Sequence, residues 1–236
     1  MLISKKTTDQ PLLFFATVLL FFFWGFVTIL NDLLIPIMKE KFHLSYTKSM
    51  FIQFCFFFTY FVMAIPNARL LNKINYKHTM IVGLVVLSFG CLLFIPATIL
   101  NIYEMFLVAL FVLASGVVLL QITANPLITL LGPTKTSSAR LSLAQGFNSV
   151  GTVLAPIVLG IIITPTNLLS LYLYLALSVI LLALFFTRLD FRGFYDKNDS
   201  EENNTNKNPQ LISNKKLIAL STAAIFLYVG AEVSIG

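Results

Sequence analysis

Long apolar runs recur along this 236-residue chain and constrain its fold more than any other feature. A helix needs about 20 apolar residues to cross the hydrocarbon core of a bilayer. Six runs reach that length, and a seventh begins near residue 217. Because lipid offers the backbone no hydrogen-bonding partner, such runs cross a membrane as helices. The sequence therefore predicts an all-α membrane protein with spans near 12–37, 49–71, 79–99, 103–131, 139–164 and 166–187.

The composition excludes a soluble domain. Hydrophobic residues make up 58% of the chain and charged residues only 11%, whereas soluble proteins carry about 25% charged residues. Cys55 and Cys91 lie inside apolar runs, which favours buried free thiols over a disulfide framework or a metal site. The sequence shows no nucleotide-binding loop, catalytic constellation or metal-ligand spacing. We therefore expect no enzymatic activity, no metal and no organic cofactor.

Basic residues between the runs predict the orientation in the membrane. With the N-terminus inside, the segments 1–11, 69–78, 132–140 and 188–216 lie on the cytoplasmic side and hold 13 of the 16 lysines and arginines. Lys39, Lys41 and Lys48 are the only three outside. Positive charge is retained on the cytoplasmic side of membrane proteins. The net charge of +6 is thus an effect of topology, and we expect a bilayer and no nucleic acid as partner.

One compositional boundary divides the chain. Residues 190–216 are polar and rich in asparagine, lysine and acidic residues, which is typical of a flexible linker. The sequence therefore predicts a six-helix transmembrane bundle over 1–189, a cytoplasmic linker over 190–216, and the start of a second bundle over 217–236. The last run is still apolar at Gly236, so we expect a truncated seventh helix.

Asp32 is the most unusual residue of the first run. A carboxylate at membrane depth costs roughly 2.5–3.5 kcal/mol on insertion scales. Such a residue is retained where it faces a polar cavity and has a function there. The alternative is a helix-end aspartate that reaches the interface, because Pro36 and Lys39 follow closely. Glu232 is a second ionisable group at depth, and its position near the end of the chain leaves its depth open.

Polar residues share a helix face in several runs, because residues three, four or seven apart lie on one side of a helix. Amides and hydroxyls at such positions suit a sugar, whose hydroxyls need both donors and acceptors. The alternative is hydrogen bonding between helices, worth about 0.6 kcal/mol on average. We assign Thr28, Thr123, Thr129 and Thr152 to that structural role, and Gly25, Gly116 and Gly151 to close helix packing. We assign Gln121, Asn125, Gln145 and Asn148 to a substrate cavity. The stripes are Gly25, Thr28 and Asp32; Gln53 and Tyr60; Gln121, Asn125 and Thr129; Gln145, Asn148 and Thr152; and Tyr228 and Glu232.

Several short motifs occur in a specific order. They are Asn31-Asp32, then Ala124-Asn125-Pro126, then Ala144-Gln145-Gly-Phe-Asn148-Ser, and finally Gly230-Ala-Glu232. With these motifs the chain resembles the fucose–galactose–glucose symporter family of the major facilitator superfamily, from its first span to its end. The resemblance is closest to bacterial glucose/galactose transporters of the inner membrane. It implies the major facilitator fold, in which two six-helix halves enclose a site near the midplane.

The resemblance also implies roles. Asp32 would serve in sugar binding and coupling, and Gln145 and Asn148 in sugar binding. From their polar helix faces we also assign Gln121 and Asn125 to sugar binding, and from its depth Glu232 to coupling. The proton-coupled fucose member has a glutamate where this chain has Gln121, which cannot titrate. A sodium gradient is therefore the expected driving force, with a proton gradient as the alternative. The resemblance further implies a multi-pass protein with a cytoplasmic N-terminus, acting as a monomer when full length.

Three hypotheses about function remain open at this stage. The first is a sugar:cation symporter of the glucose/galactose type that works by alternating access. The second is a truncated remnant that does not transport, and the third is a half-size transporter that pairs with itself. A fucose-type proton symporter is the variant of the first hypothesis in which protons replace sodium. The preserved polar stripes favour descent from a working carrier.

Overall fold

The computed structural model describes residues 10–162, 168–191, 194, 219–224 and 227. Every regular element in these residues is helical, so the prediction of an all-α protein is confirmed. Five helices are long and apolar enough to cross a membrane. Their bounds are Gln10–Lys41, Tyr46–Leu100, Tyr103–Leu130, Ser137–Ile162 and Leu168–Arg188, with a short 3-10 turn at Thr134–Thr136.

The second helix contains two spans. Its 55 residues would measure about 80 Å at 1.5 Å per residue, far more than the ~30 Å hydrocarbon core. Asn75 has non-helical backbone angles, φ 69° and ψ 159°, and interrupts it. We therefore divide it into α2 (46–74) and α3 (76–100). The other helices are α1 (Gln10–Lys41), α4 (Tyr103–Leu130), α5 (Ser137–Ile162) and α6 (Leu168–Arg188), which gives the six predicted spans.

Glycines let pairs of helices approach closely, as predicted for Gly116 and Gly151. A Cβ atom on Gly116 of α4 would lie 2.5 Å from the backbone nitrogen of Leu87 on α3. A Cβ atom on Gly151 of α5 would collide with the carbonyl oxygen of Phe22 on α1. Small residues at such crossings give membrane helices the van der Waals contact that drives their association. The predicted packing role is confirmed at both positions.

Aromatic rings fill the core between α3, α4 and α6. The rings of Phe94 and Tyr172 stack with centroids 4.1 Å apart, and Phe106 meets Phe94 edge-on at 4.7 Å. All three side chains are almost fully buried. Offset stacks and edge contacts of this kind add about 0.5–1.5 kcal/mol beyond the burial of area. This cluster holds α6 against the α3–α4 pair.

The charge pattern assigns each helix end to one side of the membrane. Helix ends that are assigned to the same side lie together in the structure. The Lys41 ammonium at the end of α1 donates to the Thr98 carbonyl at 3.3 Å, near the end of α3. The Lys77 ammonium at the start of α3 donates to the carbonyls of Thr187 at 2.9 Å and Leu189 at 2.6 Å, at the end of α6. A cation at a helix C-terminus satisfies carbonyls that have no intrahelical donor. Both contacts agree with the predicted alternation of the spans.

Arg140 makes a third connection at a helix end. Its guanidinium donates to the carbonyls of Ile128 at 3.1 Å, Thr129 at 2.5 Å and Pro133 at 3.0 Å, and to the Thr136 hydroxyl at 2.6 Å. The planar fork of arginine suits several acceptors in one plane. Arg140 therefore caps the C-terminal end of α4 and attaches it to the first turns of α5.

The chain divides into two compact units, Met1–Gly193 and Phe194–Gly236. The first contains α1 to α6, and the second contains a short helical segment at 219–224. Most of the predicted linker, 190–216, and most of the predicted seventh span lie outside the described residues. The domain boundaries at 189/190 and 216/217 stay predictions.

The orientation of the bundle gives a direct test by cysteine labelling. Lys48 and Lys73 are both exposed at opposite ends of α2. In a background without Cys55 and Cys91, we expect Lys48→Cys to react with a membrane-impermeant maleimide in intact cells. Lys73→Cys should react only after the membrane is opened, because positive charge remains inside. The reverse pattern would contradict a cytoplasmic N-terminus.

Candidate functional site

A polar cluster inside the bundle centres on the hydroxyl of Tyr60 in α2. The side-chain amide of Gln121 in α4 donates to this hydroxyl at 3.2 Å. The side chains of Trp24 and Thr28 in α1 lie beside it. The charge of Asp32, one turn beyond Thr28, acts on the same hydroxyl. Three helices therefore direct polar groups to one point.

Helix periodicity explains why these residues meet. Trp24, Thr28 and Asp32 are four apart in α1 and share one face. The Thr28 hydroxyl donates to the Trp24 carbonyl at 2.9 Å. Tyr60 is only half-buried as a residue, and its ring packs against Phe56 of the same helix with centroids 5.2 Å apart. The cluster is partly accessible, because Thr28 and Gln121 are half-buried and Asp32 is exposed.

Asn125 lies one turn beyond Gln121 in α4. Its side-chain oxygen is buried and has no hydrogen-bond partner among the described residues. Buried polar atoms are nearly always paired, so this oxygen requires an explanation. Pro126 follows directly and has no backbone N–H, so the carbonyl four residues earlier, on Ile122, loses its usual intrahelical donor. This part of α4 therefore offers acceptors to an external donor.

The two predicted residues of α5 occupy different environments. The Asn148 side-chain amide donates to the Phe21 carbonyl of α1 at 3.0 Å. A Cβ atom on Gly25 would collide with the Asn148 carbonyl oxygen, which confirms the predicted packing role of Gly25. Gln145, nearly one turn earlier in α5, is exposed at the surface of the bundle. Asn148 thus joins α5 to α1 one turn before the polar cluster.

The four threonines do not make the hydrogen bonds between helices that we predicted for them. Each hydroxyl donates a hydrogen bond to a carbonyl of its own helix, three or four residues earlier. This is the usual local alternative for threonine inside a helix. Thr28 also lies beside Tyr60 of α2. The four bonds are Thr28 to Trp24 at 2.9 Å, Thr123 to Leu119 at 2.7 Å, Thr129 to Pro126 at 2.7 Å and Thr152 to Ser149 at 2.8 Å.

The predicted site residues therefore fall into three sets. Asp32, Gln121 and Asn125 belong to the α1–α4 side around Tyr60, while Asn148 and Gln145 belong to α5. Glu232 lies outside the described residues. Tyr60 itself was not among the predicted site residues, although its spacing from Gln53 placed it on a polar face. The sequence feature that could have identified Tyr60 is that it is the only tyrosine in the run 49–71.

Comparisons with known proteins agree with this fold. The sequence matches the profile of the Major Facilitator Superfamily over residues 13–235. It is 44% identical to the glucose/galactose transporter of Brucella abortus over 229 residues, which are 92% of this chain and 55% of that protein. It is 42% identical to the L-fucose-proton symporter of Escherichia coli over 136 residues, 58% of this chain and 31% of that protein.

Solved structures give the same result. A crystal structure of the Escherichia coli fucose:proton symporter FucP matches with a TM-score of 0.66 at 30% identity, over 78% of this chain and 50% of that chain. Another FucP structure, in the outward conformation, matches with a TM-score of 0.65 at 33% identity, over 76% and 50%. The bundle corresponds to the N-terminal half of the FucP fold, and the predicted major facilitator fold is confirmed.

The chain spans about half the length of the curated relatives it matches. It is a multi-pass membrane protein and a homologue of glucose/galactose sugar transporters. The family consists of transporters, so the prediction that the chain is not an enzyme is confirmed. The resemblance proposed from the sequence motifs is confirmed as well: this chain belongs to the major facilitator superfamily.

Proposed function

We propose that this chain supplies half of the path of a hexose:cation symporter of the glucose/galactose type, working by alternating access. The observation that carries the proposal is the cluster of amides and hydroxyls around Tyr60, with the Asp32 carboxylate beside it. Sugar hydroxyls need both donors and acceptors, and aromatic rings cover the apolar faces of a sugar. The 44% identity to a glucose/galactose transporter supports the same substrate class.

The proposal gives each site residue a role. Gln121 and Asn125 of α4 bind the sugar together with Gln145 and Asn148 of α5. Asp32 both contacts the sugar and responds to the coupling ion, because its negative carboxylate attracts a cation. Glu232 is proposed as the second coupling group. The protein acts as a monomer in a bacterial inner membrane.

Sodium is the proposed coupling ion. A glutamine cannot carry a proton, so Gln121 removes one candidate proton carrier from α4. The carbonyl of Ile122, which has no intrahelical donor because of Pro126, is an oxygen acceptor of the kind that coordinates a sodium ion in transporters. Proton coupling, as the name of the Escherichia coli fucose relative states for that protein, is the competing hypothesis.

Imposed ion gradients test this proposal in proteoliposomes that contain the complete protein carrying this chain. With one sodium per sugar, a tenfold inward sodium gradient supports up to about tenfold glucose accumulation, since each factor of ten is worth ~1.4 kcal/mol. We expect accumulation in the sodium arm and only equilibration when an inward proton gradient is imposed without sodium. Accumulation that follows protons and ignores sodium would contradict sodium coupling. Failure of both arms and of hexose exchange would contradict the transport proposal.

A further inference from the structure

A groove of about 340 Å³ runs between α3 and α6 on the surface of the bundle. Ser88 and Ala183 are small and buried at its floor, and the exposed side chains of Val85 and Phe89 stand at its rim. The two polar side chains of its lining are already paired. The Ser88 hydroxyl donates to the Ala176 carbonyl at 3.4 Å, and the Thr187 hydroxyl donates to the Leu184 carbonyl at 2.6 Å. The groove therefore suits a hydrocarbon chain better than a polar ligand.

The length of the groove matches one leaflet of a bilayer. Its lining on α3 extends from Ile81 to Leu92, which is about 16 Å at 1.5 Å per residue. Half of the ~30 Å hydrocarbon core is ~15 Å. On α6 the lining reaches Thr187, next to the last helical residue, Arg188. The groove thus extends inward from the end of the bundle that the charge pattern places in the cytoplasm, as an acyl chain of the inner leaflet does.

Basic side chains flank the mouth of the groove at this end. Arg188 lies one turn beyond Leu184, and residues four apart share a helix face. His78 lies three residues before Ile81 on α3, and both basic side chains are exposed. Asp190 is the one acidic residue at this end among those that the structure describes. Positive charge therefore prevails where the headgroup of a lipid in the groove would lie.

We propose that this groove binds one anionic phospholipid, with an acyl chain between α3 and α6 and the phosphate at Arg188 and His78. Basic pockets between membrane helices on the cytoplasmic side bind anionic lipid headgroups. Lys77 adds positive charge, although its ammonium already donates to two carbonyls at the end of α6. A second copy of the chain is a poorer occupant, because a two-fold axis along the membrane normal would bring the basic ends of both copies together. The inference is independent of the proposed function, because α3 and α6 contribute nothing to the polar cluster around Tyr60.

Native mass spectrometry of the purified complete protein tests the inference by titration with phosphatidylglycerol or with phosphatidylcholine of the same chain length. One basic residue near a membrane surface changes the affinity for an anionic lipid about fivefold. We therefore expect the parent to prefer phosphatidylglycerol at least about fivefold, and Arg188→Gln to lower that preference about fivefold. Val85→Trp should abolish the tightest binding of both lipids, because the added ring fills the groove.

Each variant has a matched control outside the groove. Arg69 of α2 is exposed on the same predicted side of the membrane, and Arg69→Gln should bind both lipids like the parent. Val108 of α4 is 58% exposed and Val85 is 55% exposed, so Val108→Trp makes the same substitution at a similar surface position and should also bind like the parent. An unfolding midpoint equal to that of the parent, measured without added lipid, shows that each variant is folded.

Several outcomes would overturn the lipid site. Equal affinity of the parent for the two lipids would exclude recognition of an anionic headgroup. An equal loss in Arg188→Gln and Arg69→Gln would show only a general attraction to positive charge. Parental binding by Val85→Trp would place the acyl chain elsewhere. Glycerol phosphate, which carries the anion without acyl chains, should not compete, and competition as strong as that of phosphatidylglycerol itself would reduce the site to one for a free anion.

Discussion

Replacing Asp32 with asparagine is expected to abolish concentrative hexose uptake, while expression and membrane insertion stay near those of the parent. Asp32 lies about 10 Å beyond the midpoint of α1, and the hydrocarbon core extends about 15 Å from its centre. A carboxylate at such depth is costly, and asparagine has almost the same shape without the charge. The change therefore removes the charge that responds to the coupling cation and little else.

Glu40 supplies the matched control in the same helix. It is exposed, next to the end of α1 at Lys41, and we expect Glu40→Gln to transport like the parent. Uptake of labelled glucose under a sodium gradient should fall to the level of empty vesicles in Asp32→Asn alone. Parental accumulation by Asp32→Asn would show that Asp32 is an interfacial helix-end residue without a role in coupling.

Adding a single methyl group is expected to have opposite effects at two glycines of α5. An alanine inside a helix is normally up to about 1 kcal/mol more favourable than glycine. Gly146 has open space around it, so Gly146→Ala should raise the thermal stability of the chain in detergent or leave it unchanged. At Gly151 the added carbon collides with the Phe22 carbonyl and lies 3.0 Å from the Phe26 backbone nitrogen. Overpacking of this kind costs about 1–3 kcal/mol, so Gly151→Ala should destabilise the chain.

The measurement is the midpoint of thermal unfolding, followed by circular dichroism, for the parent and the two variants. A lower midpoint for Gly151→Ala beside an equal or higher one for Gly146→Ala would support close packing of α1 on α5. Gly25→Ala, on the opposite side of this contact, should resemble Gly151→Ala. Equal midpoints for Gly151→Ala and Gly146→Ala would contradict the contact.

The number of spans in the bundle and their alternation could be predicted from the sequence. Each long apolar run must satisfy its backbone internally in lipid, which leaves a helix as the only solution. The lysines and arginines then divide the helix ends into two sets, and contacts such as those of Lys41 and Lys77 join ends of the same set. The packing role of Gly116 and Gly151 was also predictable, because a glycine in an apolar helix has few other uses.

The boundary between α2 and α3 could be placed only approximately from composition. The runs 49–71 and 79–99 leave a short polar segment between them, which predicts a loop. The structure instead continues the helix almost to the next span and interrupts it at Asn75 alone. Backbone hydrogen bonds between residues close in sequence extend the helix through this polar segment. A hydropathy pattern carries no information about these bonds.

Which polar faces meet could not be predicted from the sequence. Periodicity assigned Thr28, Tyr60 and Gln121 each to a face of its own helix, but it carries no information on which face of another helix lies opposite. Their meeting at the Tyr60 hydroxyl depends on how α1, α2 and α4 cross. The same limit applies to Asn148, because periodicity does not show that its side-chain amide donates to the Phe21 carbonyl of α1. Local sequence determines which groups a helix presents, whereas the partner of each group depends on contacts between residues far apart in the chain.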